Sequence, residues 1–229
     1  MEYFVPGPPP RLELIVSRAA LKSGDLRAHP ASYAIASWVA GPTTHMVHAG
    51  AVALSGRGVL LVGVGGRGKT TTSLACARDG FSFLGDDLCI LEAADTATGS
   101  PPVIHGLYAT AKLNADSRAR LDAGHWPDLG TTPNGKAAVA IPKEIRVERS
   151  APLVAIVAVS ARDGAGHDAR RVDRREAFRM LALAAAQGIS GTGMPPTRWF
   201  SSAAAVAREV PTFVLGLGWD LGRVTSAVR

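Results

Sequence analysis

The chain has 229 residues and a formal net charge of +6, and 47% of its residues are hydrophobic while 19% are charged. A chain of this length can bury a full core, and this balance excludes a largely disordered protein, so we expect one domain over residues 1–229. The Lys and Arg residues are scattered, without a dense basic run or interleaved aromatic residues, which argues against a nucleic-acid partner. The positive surplus suits an anionic ligand such as a polyphosphate.

The sequence predicts neither export nor membrane insertion. The first ten residues, MEYFVPGPPP, carry Glu2 and four prolines where a signal peptide needs a basic start and an apolar run. No stretch approaches the ~18 consecutive apolar residues of a membrane-spanning helix. We therefore expect a cytoplasmic protein without a membrane partner. Cys76 and Cys89 lack the spacing of metal ligands, and we interpret both as small buried residues.

The first third of the chain is predicted to contain antiparallel strands. Residues 11–17 alternate apolar and polar side chains, which predicts a half-buried strand. Residues 31–40 are apolar and stop at Gly41-Pro42, which predicts a short buried helix. The apolar runs 46–54 and 59–62 are separated by Ser-Gly-Arg-Gly, a turn sequence, and this arrangement predicts a hairpin.

After the hairpin, helices and strands alternate. A helix is predicted over Lys69–Arg78, and residues 81–91 have the composition of a strand interrupted by Gly-Asp-Asp. The remaining predicted elements are a helix over 114–121, a central strand over 153–160, helices over 173–187 and 196–209, a strand over 212–217 and a last helical turn, with loops over 94–102 and 161–171. This order predicts an α/β fold with a mixed sheet and flanking helices.

Residues 63–70 (GVGGRGKT) match the phosphate-binding pattern GxxxxGK[ST]. The match is credible because an apolar strand directly precedes it and a helix directly follows it. Glycines allow the backbone angles that turn successive amide groups toward an anion at the positive end of a helix. The glycines of the motif are Gly63, Gly65, Gly66 and Gly68. The motif therefore predicts a P-loop that binds the phosphates of a nucleoside triphosphate, which we expect to be ATP.

Side chains of the same motif predict how the phosphates are held. Lys69 would place a cation on the β and γ phosphates and stabilise the transferring group, and the Thr70 hydroxyl would be a ligand of Mg²⁺. Thr71, at the start of the following helix, completes the predicted nucleotide-binding set together with Arg67. The Arg67 side chain either assists phosphate binding or projects into water.

Asp86 and Asp87 lie about 16 residues beyond the P-loop threonine, between the apolar runs FSFL and LCIL. An idle acidic pair inside a core strand would be costly, so we interpret the pair as functional. One carboxylate can hold the metal and the other can accept a hydroxyl proton. His48 opens the hairpin, although a lone histidine in an apolar strand is more often a core residue. Lys136, in the turn PNGK, is either a second cation at the phosphate or a surface lysine.

Residues 48–91, HAGAVALSGRGVLLVGVGGRGKTTTSLACARDGFSFLGDDLCIL, resemble the catalytic core of the HPr kinase/phosphorylase family. In that family a histidine opens a hairpin, a P-loop follows, and a strand ending in paired aspartates comes soon after. The resemblance implies a P-loop fold of the HPr kinase and phosphoenolpyruvate carboxykinase type. It also implies that His48 belongs to the site, that Asp86 is the base toward the acceptor hydroxyl, and that Asp87 and Thr70 hold magnesium.

The closing segment 211–224, PTFVLGLGWDLGRV, resembles the C-terminal end of small stand-alone relatives of this family. These relatives include kinases encoded with ribosomal peptide natural products, among them lasso peptide kinases that phosphorylate a serine near the precursor's C-terminus. The resemblance thus implies an ATP- and Mg-dependent serine kinase acting on a peptide or protein acceptor. A homo-oligomer is compatible with this interpretation.

Two other functions fit parts of the sequence. A regulatory or assembly NTPase that changes shape with its nucleotide needs only the P-loop. A small-molecule kinase, or an enzyme of carboxykinase type, would use the same loop and carboxylates on a different acceptor. Asp86→Asn should abolish phosphate transfer if the protein is a kinase, whereas nucleotide-dependent partner binding should survive this substitution if it is an NTPase. A metabolite screen would reveal the small-molecule enzyme.

Overall fold

The structure is a computed structural model that describes residues 13, 15–95, 97–161, 168–188, 197–218 and 220–229. Its strands are β1 (Thr44–Val47), β2 (Gly50–Leu54), β3 (Arg57–Val62), β4 (Ser82–Gly85), β5 (Cys89–Glu92), β6 (Val103–Gly106), β7 (Thr110–Leu113), β8 (Asp128–Thr131), β9 (Ala137–Ala140), β10 (Ser150–Ala161), β11 (Asp168–Arg171) and β12 (Thr212–Leu217). Its helices are α1 (Gly24–Ala28), α2 (Ser32–Val39), α3 (Lys69–Arg78), α4 (Ala115–Arg120), α5 (Arg174–Gly188), α6 (Thr197–Glu209) and α7 (Leu221–Val228), and a 3₁₀ turn spans Ala20–Lys22.

A large mixed sheet forms the centre of the fold. Its strands run in the order β1-β5-β6-β10-β3-β2-β4, and β12 pairs with both β10 and β11. β10 is parallel to β3 and β12 but antiparallel to β6. A second, three-stranded sheet has the order β7-β9-β8. Mixed pairing and flanking helices agree with the fold class that the sequence predicted.

The central strand β10 is the longest strand of the described chain. It was predicted over residues 153–160 because a β-branched run suits a strand covered on both faces. The prediction is confirmed, and the strand extends beyond it at both ends. Ser150–Pro152 pair with β6, the middle pairs with β3, and Ile156–Ala161 pair with β12. β10 therefore joins the antiparallel part of the sheet to the part that carries the glycine-rich loop.

The predicted hairpin is present as β2 and β3, with Ser55 and Gly56 in the left-handed region at its turn. The preceding apolar run is not one strand, however. It is divided into β1, which pairs with β5, and β2, which pairs with β3 and β4. At the division the His48 N–H donates to the Ala184 carbonyl oxygen of α5 at 2.8 Å, so this backbone leaves the sheet ladder. His48 therefore lies between β1 and β2, directly after the end of β1.

Helices cover both faces of the large sheet. α3 and α7 share one apolar cluster that includes Leu74 and Val224, whereas α5 and α6 share another that includes Leu181 and Trp199. The helix predicted after the glycine-rich loop is confirmed with identical bounds, Lys69–Arg78. Gly80, which has φ +90°, follows the end of this helix. None of the helices among the described residues is long and apolar enough to cross a membrane.

The other helix predictions also follow from local side-chain chemistry. Asn114 caps α4, because its Oδ1 accepts a hydrogen bond from the Ser117 N–H at 2.7 Å. Asp173 precedes α5, and its Oδ1 accepts a hydrogen bond from the Glu176 N–H at 2.9 Å. The prolines predicted at the start of α6 lie outside the described residues.

Four predictions about elements were wrong in whole or in part. In the segment predicted as a first strand, the described residues 13 and 15–17 are not in a strand. The predicted buried helix exists as α2, but Tyr33 and Trp38 are 52% and 56% exposed, so only one of its faces is buried. Asp168–Arg171 lie in β11 rather than in a loop, and the last helical turn is the eight-residue helix α7. β11 has no apolar alternation because all four of its residues are exposed.

Candidate active site

The glycine-rich loop (residues 63–70) connects β3 to α3, as the motif requires. Gly63, Gly66 and Gly68 have φ values of +143°, +78° and +100°, which side-chain-bearing residues rarely adopt. The Lys69 ammonium group donates a 2.8 Å hydrogen bond to the Gly63 carbonyl oxygen, so the lysine folds back across the loop. The loop thus presents the amino-terminal end of α3 and a cation at one place, which suits a polyphosphate.

A cavity of about 300 Å³ lies over this loop. Three lysines line it: Lys69 from α3, Lys112 from β7 and Lys136 from the turn before β9. The sequence-predicted residues that line it are His48, Gly65, Gly66, Arg67, Gly68, Lys69, Thr70, Thr71, Asp87 and Lys136. Most of the predicted site therefore faces one space. Gly63 lies at the base of the loop, and Asp86 is buried beside the cavity rather than lining it.

Asp86 is the most deeply buried carboxylate of the site, with 1% of its surface exposed. Its Oδ2 accepts a 3.3 Å hydrogen bond from the Lys112 backbone N–H, and its Oδ1 has no hydrogen-bond partner in the part of the chain that the structure describes. Burial and the neighbouring Asp87 charge raise the pKa of Asp86 to about 6, although the Thr70 side chain and the Lys112 N–H oppose this rise. Asp86 is therefore a carboxyl group that can change its protonation state near neutral pH.

Asp87 has the opposite character. It occupies the left-handed region at φ +67°, in the short break between β4 and β5. Its Oδ1 lies 3.0 Å from His48 Nδ1, and its Oδ2 lies 2.9 Å from the Lys112 ammonium nitrogen. Burial alone would raise the pKa of Asp87, but the hydrogen bond from His48 and the charge of Lys112 outweigh it and hold this pKa well below its usual range. Asp87 is therefore a fixed negative charge.

Lys112 is a site residue that the sequence analysis missed. Its ammonium group bridges Asp87 and Asp25, which lies on α1, and its side chain is 13% exposed. Burial lowers the pKa of Lys112, but the carboxylates of Asp87 and Asp25 more than offset this, so its pKa is raised. A single lysine in the sequence TAKL carries no motif, and only the pairing of β7 with β9 brings it to the cavity.

His29 is the second residue that sequence reasoning missed. It is 3% exposed, its ring stacks on Tyr108 at 4.9 Å, and its Nδ1 lies 3.6 Å from Asp87 Oδ2. Burial, aided by the nearby Lys112 charge, lowers the pKa of His29 to about 4. His29 is thus neutral at neutral pH and packs behind the carboxylate. In the sequence its only signal is a His-Pro pair before α2, which indicates a helix boundary rather than a site.

The buried lysine of the loop and the opposite side of the cavity complete the site. Burial lowers the pKa of Lys69, and the carboxylates Asp86 and Asp87 work against this shift. Thr71 and Ser117 share a buried 2.8 Å hydrogen bond, which attaches α4 to the start of α3. Lys136 follows Gly135, which has φ +79°, and its position in the cavity wall supports the phosphate-facing alternative over a purely surface lysine.

His45 shows what a structural histidine looks like in this fold. It is 1% exposed, stacks on Trp199 at 6.1 Å and lies 3.2 Å from the Ser202 hydroxyl. Burial lowers its pKa to about 4, so it is a neutral core residue. His48, by contrast, contacts a carboxylate and lines the cavity. The two histidines of the same strand region therefore have different surroundings.

The donor set of the site fits magnesium. The described residues contain no group of three or more His, Cys, Asp or Glu side chains that could hold a metal ion. Mg²⁺ does not need such a cage, since it is usually held by one or two protein oxygens together with phosphates and water. Thr70 and Asp87 line the cavity, and Asp86 Oδ1 is a buried oxygen without a partner among the described residues. Hard oxygen donors beside a predicted phosphate site match the preference of this ion.

The comparison with solved structures gives a distant likeness. No protein-family model matches the chain, and no curated protein matches it in sequence. Among solved structures, the chain is similar to the Hpr(Ser) kinase/phosphatase from Coxiella burnetii, with 12% sequence identity and a TM-score of 0.42. The match covers 81% of this chain and 88% of that one. At this level of similarity, the functional assignment rests on the geometry of the site itself.

Proposed function

We propose that the chain is an ATP- and Mg-dependent kinase that transfers the γ-phosphate to a serine hydroxyl of a peptide acceptor. The preferred acceptor is the precursor of a ribosomally made natural product of the lasso peptide type. The observation that carries the proposal is the pair Asp86 and Asp87, two adjacent carboxylates with opposite surroundings beside a glycine-rich loop: Asp86 is buried, whereas Asp87 contacts His48 and Lys112. Such different surroundings allow two neighbouring carboxylates to have different roles, with Asp86 as a proton acceptor and Asp87 as a permanent negative charge.

The loop supports the nucleotide part of the proposal. Its amide groups and the start of α3 offer hydrogen-bond donors to the phosphates, while Lys69 adds a positive charge. Lys136 adds another from the facing wall, where it can meet charge that accumulates during transfer. Magnesium, when bound with the nucleotide, would neutralise phosphate charge, and Thr70 and Asp87 are the residues proposed to hold it.

The carboxylate pair supports transfer to a hydroxyl rather than simple binding. In the proposed step the acceptor oxygen forms a bond to the γ-phosphorus, the bond from that phosphorus to the β–γ bridging oxygen breaks, and ADP leaves. Asp86 takes the hydroxyl proton, for which its pKa near 6 is well suited. Its Oδ1 has no partner among the described residues, but it is buried beside the cavity, so the proposed step requires this oxygen to become accessible to the acceptor hydroxyl. Asp87 stays ionised because His48 and Lys112 hold it.

A switch NTPase remains the main competing proposal because it uses the same loop. Asp86 is buried with an oxygen that has no partner among the described residues, and this burial costs free energy. A proton acceptor beside the γ-phosphate explains this cost. The same chemistry would serve a small-molecule acceptor, so the identity of the acceptor has to be decided by experiment.

The test is mass spectrometry of an acceptor panel incubated with ATP and Mg²⁺. The panel contains precursor peptides with and without a C-terminal serine, HPr, free serine and a set of hydroxyl-bearing metabolites. We expect one phosphate mass on a serine-containing peptide. The product should disappear in Lys69→Ala and Asp86→Asn and persist in Lys143→Ala, which changes an exposed lysine away from the cavity.

Other outcomes would redirect the assignment. Phosphate on a metabolite alone would make the protein a small-molecule kinase. ATP hydrolysis without any labelled acceptor, unaffected by Asp86→Asn, would overturn the kinase proposal in favour of an NTPase. ATP binding with neither transfer nor hydrolysis would also contradict it.

A further inference from the structure

Lys112 holds a position that the proposed reaction does not yet explain. Its ammonium group lies between two carboxylates, 2.9 Å from Asp87 Oδ2 and in direct contact with Asp25 Oδ1. The side chain is only 13% exposed, whereas Asp25 is 53% exposed. The lysine also lines the same cavity as Lys69 and Lys136. A cation is therefore fixed at the carboxylate proposed to hold the metal.

Both oxygens of Asp87 are engaged in this arrangement. Oδ1 faces His48 Nδ1 at 3.0 Å, while Oδ2 faces Lys112 at 2.9 Å and His29 Nδ1 at 3.6 Å. His29 is buried against Oδ2, so its ring closes this side of the carboxylate. A divalent cation reaching Asp87 would have to share an oxygen with Lys112 or displace it. Lys112 and such an ion would therefore compete for the same carboxylate, Asp87.

Asp25 is held firmly enough to direct the lysine. It lies on α1, whose last residue, Ala28, accepts a 2.9 Å hydrogen bond from the Thr110 hydroxyl of β7. At the other end of α1, a side-chain carbon on Gly24 would lie 2.4 Å from the Gly130 carbonyl oxygen of β8. The helix is therefore fitted closely against the small sheet that carries Lys112. Its position determines where Asp25 meets the ammonium group.

We propose that Lys112 is a positioning residue that takes the place of a divalent cation at Asp87, and that Asp25 limits how much of its charge reaches the nucleotide. The inference rests on the nucleotide binding proposed above but not on the identity of the acceptor. In the absence of metal, Lys112 keeps Asp87 ionised and in place. When a metal ion neutralises Asp87, the lysine remains attached to the site through Asp25.

The charges of Lys112 and Asp25 predict that substitutions of these two residues have opposite effects on ATP binding. Two carboxylates and one ammonium group leave a single net negative charge on Asp25, Asp87 and Lys112. Lys112→Met makes this set more negative, which should disfavour ATP without metal and favour Mg²⁺. Asp25→Asn makes it neutral, which should favour ATP without metal. The ratio of ATP affinity with Mg²⁺ to that in EDTA should therefore rise in Lys112→Met and fall in Asp25→Asn.

The experiment measures equilibrium binding of a fluorescent ATP analogue to the full chain, in excess Mg²⁺ and in EDTA. We expect each variant to change the affinity ratio by on the order of 5-fold, in opposite directions, as expected for one unit charge several ångströms away at a partly buried site. Lys112→Arg keeps the charge and should stay near the wild-type ratio. Lys136→Met, which removes a cation from the same cavity but not from Asp87, should weaken binding in both conditions and raise the ratio less than Lys112→Met does.

A second measurement needs no nucleotide and guards against misfolding. Thermal unfolding with and without Mg²⁺ should show a larger Mg²⁺-induced rise in melting temperature for Lys112→Met than for the wild type. Unchanged ratios and unchanged Mg²⁺ shifts in folded variants would overturn the inference while the kinase proposal stands. If the affinity ratios change as expected but no acceptor is phosphorylated, the inference about Lys112 stands and the kinase proposal is overturned. Failure of the wild type to bind ATP would overturn both.

Discussion

The glycine-rich loop and the carboxylate cluster are built in different ways, although they face the same cavity. The loop is one stretch of chain, residues 63–70, and its main internal contact joins Lys69 to Gly63. The carboxylate cluster consists of Asp25, His29, His48, Asp86, Asp87 and Lys112, which come from separate segments of the chain. The loop is thus a local structure, whereas the cluster exists only when the segments pack together.

This difference teaches where each kind of information resides. A local structure depends on residue types at fixed spacing, so the sequence displays it. A cluster depends on which strands pair, so its residues have no spacing in common. Substitutions in the loop should act mainly on phosphate binding, and substitutions in the cluster should also reveal themselves in stability and pH dependence.

The largest expected effect comes from the loop. Lys69→Ala removes the buried cation proposed to face the transferring phosphate, and we expect kcat for phosphopeptide formation to fall by about 10²–10³-fold. Initial rates by mass spectrometry measure this, with Lys143→Ala as the matched control. A loss below about 10-fold, within the range of weaker contacts, would show that Lys69 is not a principal phosphate contact.

The next effect belongs to the cluster and should stabilise the protein. The pKa of Asp86 is raised from 3.8 to about 6, so ionising it opposes folding, and Asp86→Asn should add roughly 3 kcal/mol to the free energy of unfolding at pH 8. A raised carboxyl pKa means that the penalty is present above about pH 6 and vanishes as the pH falls toward 4. Urea unfolding at pH 8 and pH 4 measures the difference. Equal stability of the two proteins at pH 8 would contradict it.

Asp87→Asn should act with the opposite sign, which makes it the matched comparison for its neighbour. It removes the charge that His48 and Lys112 stabilise, and we expect a loss of about 2 kcal/mol at neutral pH. Because the pKa of Asp87 is depressed, this contribution is present above the ordinary carboxyl pKa and is lost as the pH falls below it. The same urea series checks it. A stabilising Asp87→Asn would show that the ion pairs do not compensate its burial.

The smallest predicted effect separates two glycines of the loop. A side-chain carbon on Gly63 would lie 2.8 Å from the Val159 carbonyl oxygen, at φ +143°, whereas one on Gly65 meets nothing within 4 Å. Gly63→Ala should lower the unfolding free energy by about 1–2 kcal/mol, and Gly65→Ala by less than about 0.5 kcal/mol. Thermal unfolding of both variants tests this. Equal losses of stability in the two variants would mean that the β10 backbone at Val159 moves to accommodate a side chain at Gly63.

Sequence reasoning was most successful where structure is local. It placed α3 at its observed bounds, the break between β4 and β5 at the aspartates, and β10 in the centre of the sheet. It failed for β6–β9, which are four residues each and lack a sustained alternation of apolar and polar side chains. It joined β1 to β2 because the apolar run is continuous, and the backbone hydrogen bond from His48 to α5 that divides them is not encoded locally.

The sequence alone determined the glycine-rich loop, the helix behind it and the paired aspartates, because each depends on residue types at short spacing. Only the tertiary structure decided that Asp86 would be buried and Asp87 held by ion pairs, since their partners come from β7 and from the residues directly after α1 and β1. The same is true of Lys112 and Asp25, which lie 87 residues apart in the chain and meet at one ammonium group. Long-range pairing of strands creates that contact, and no local pattern records it.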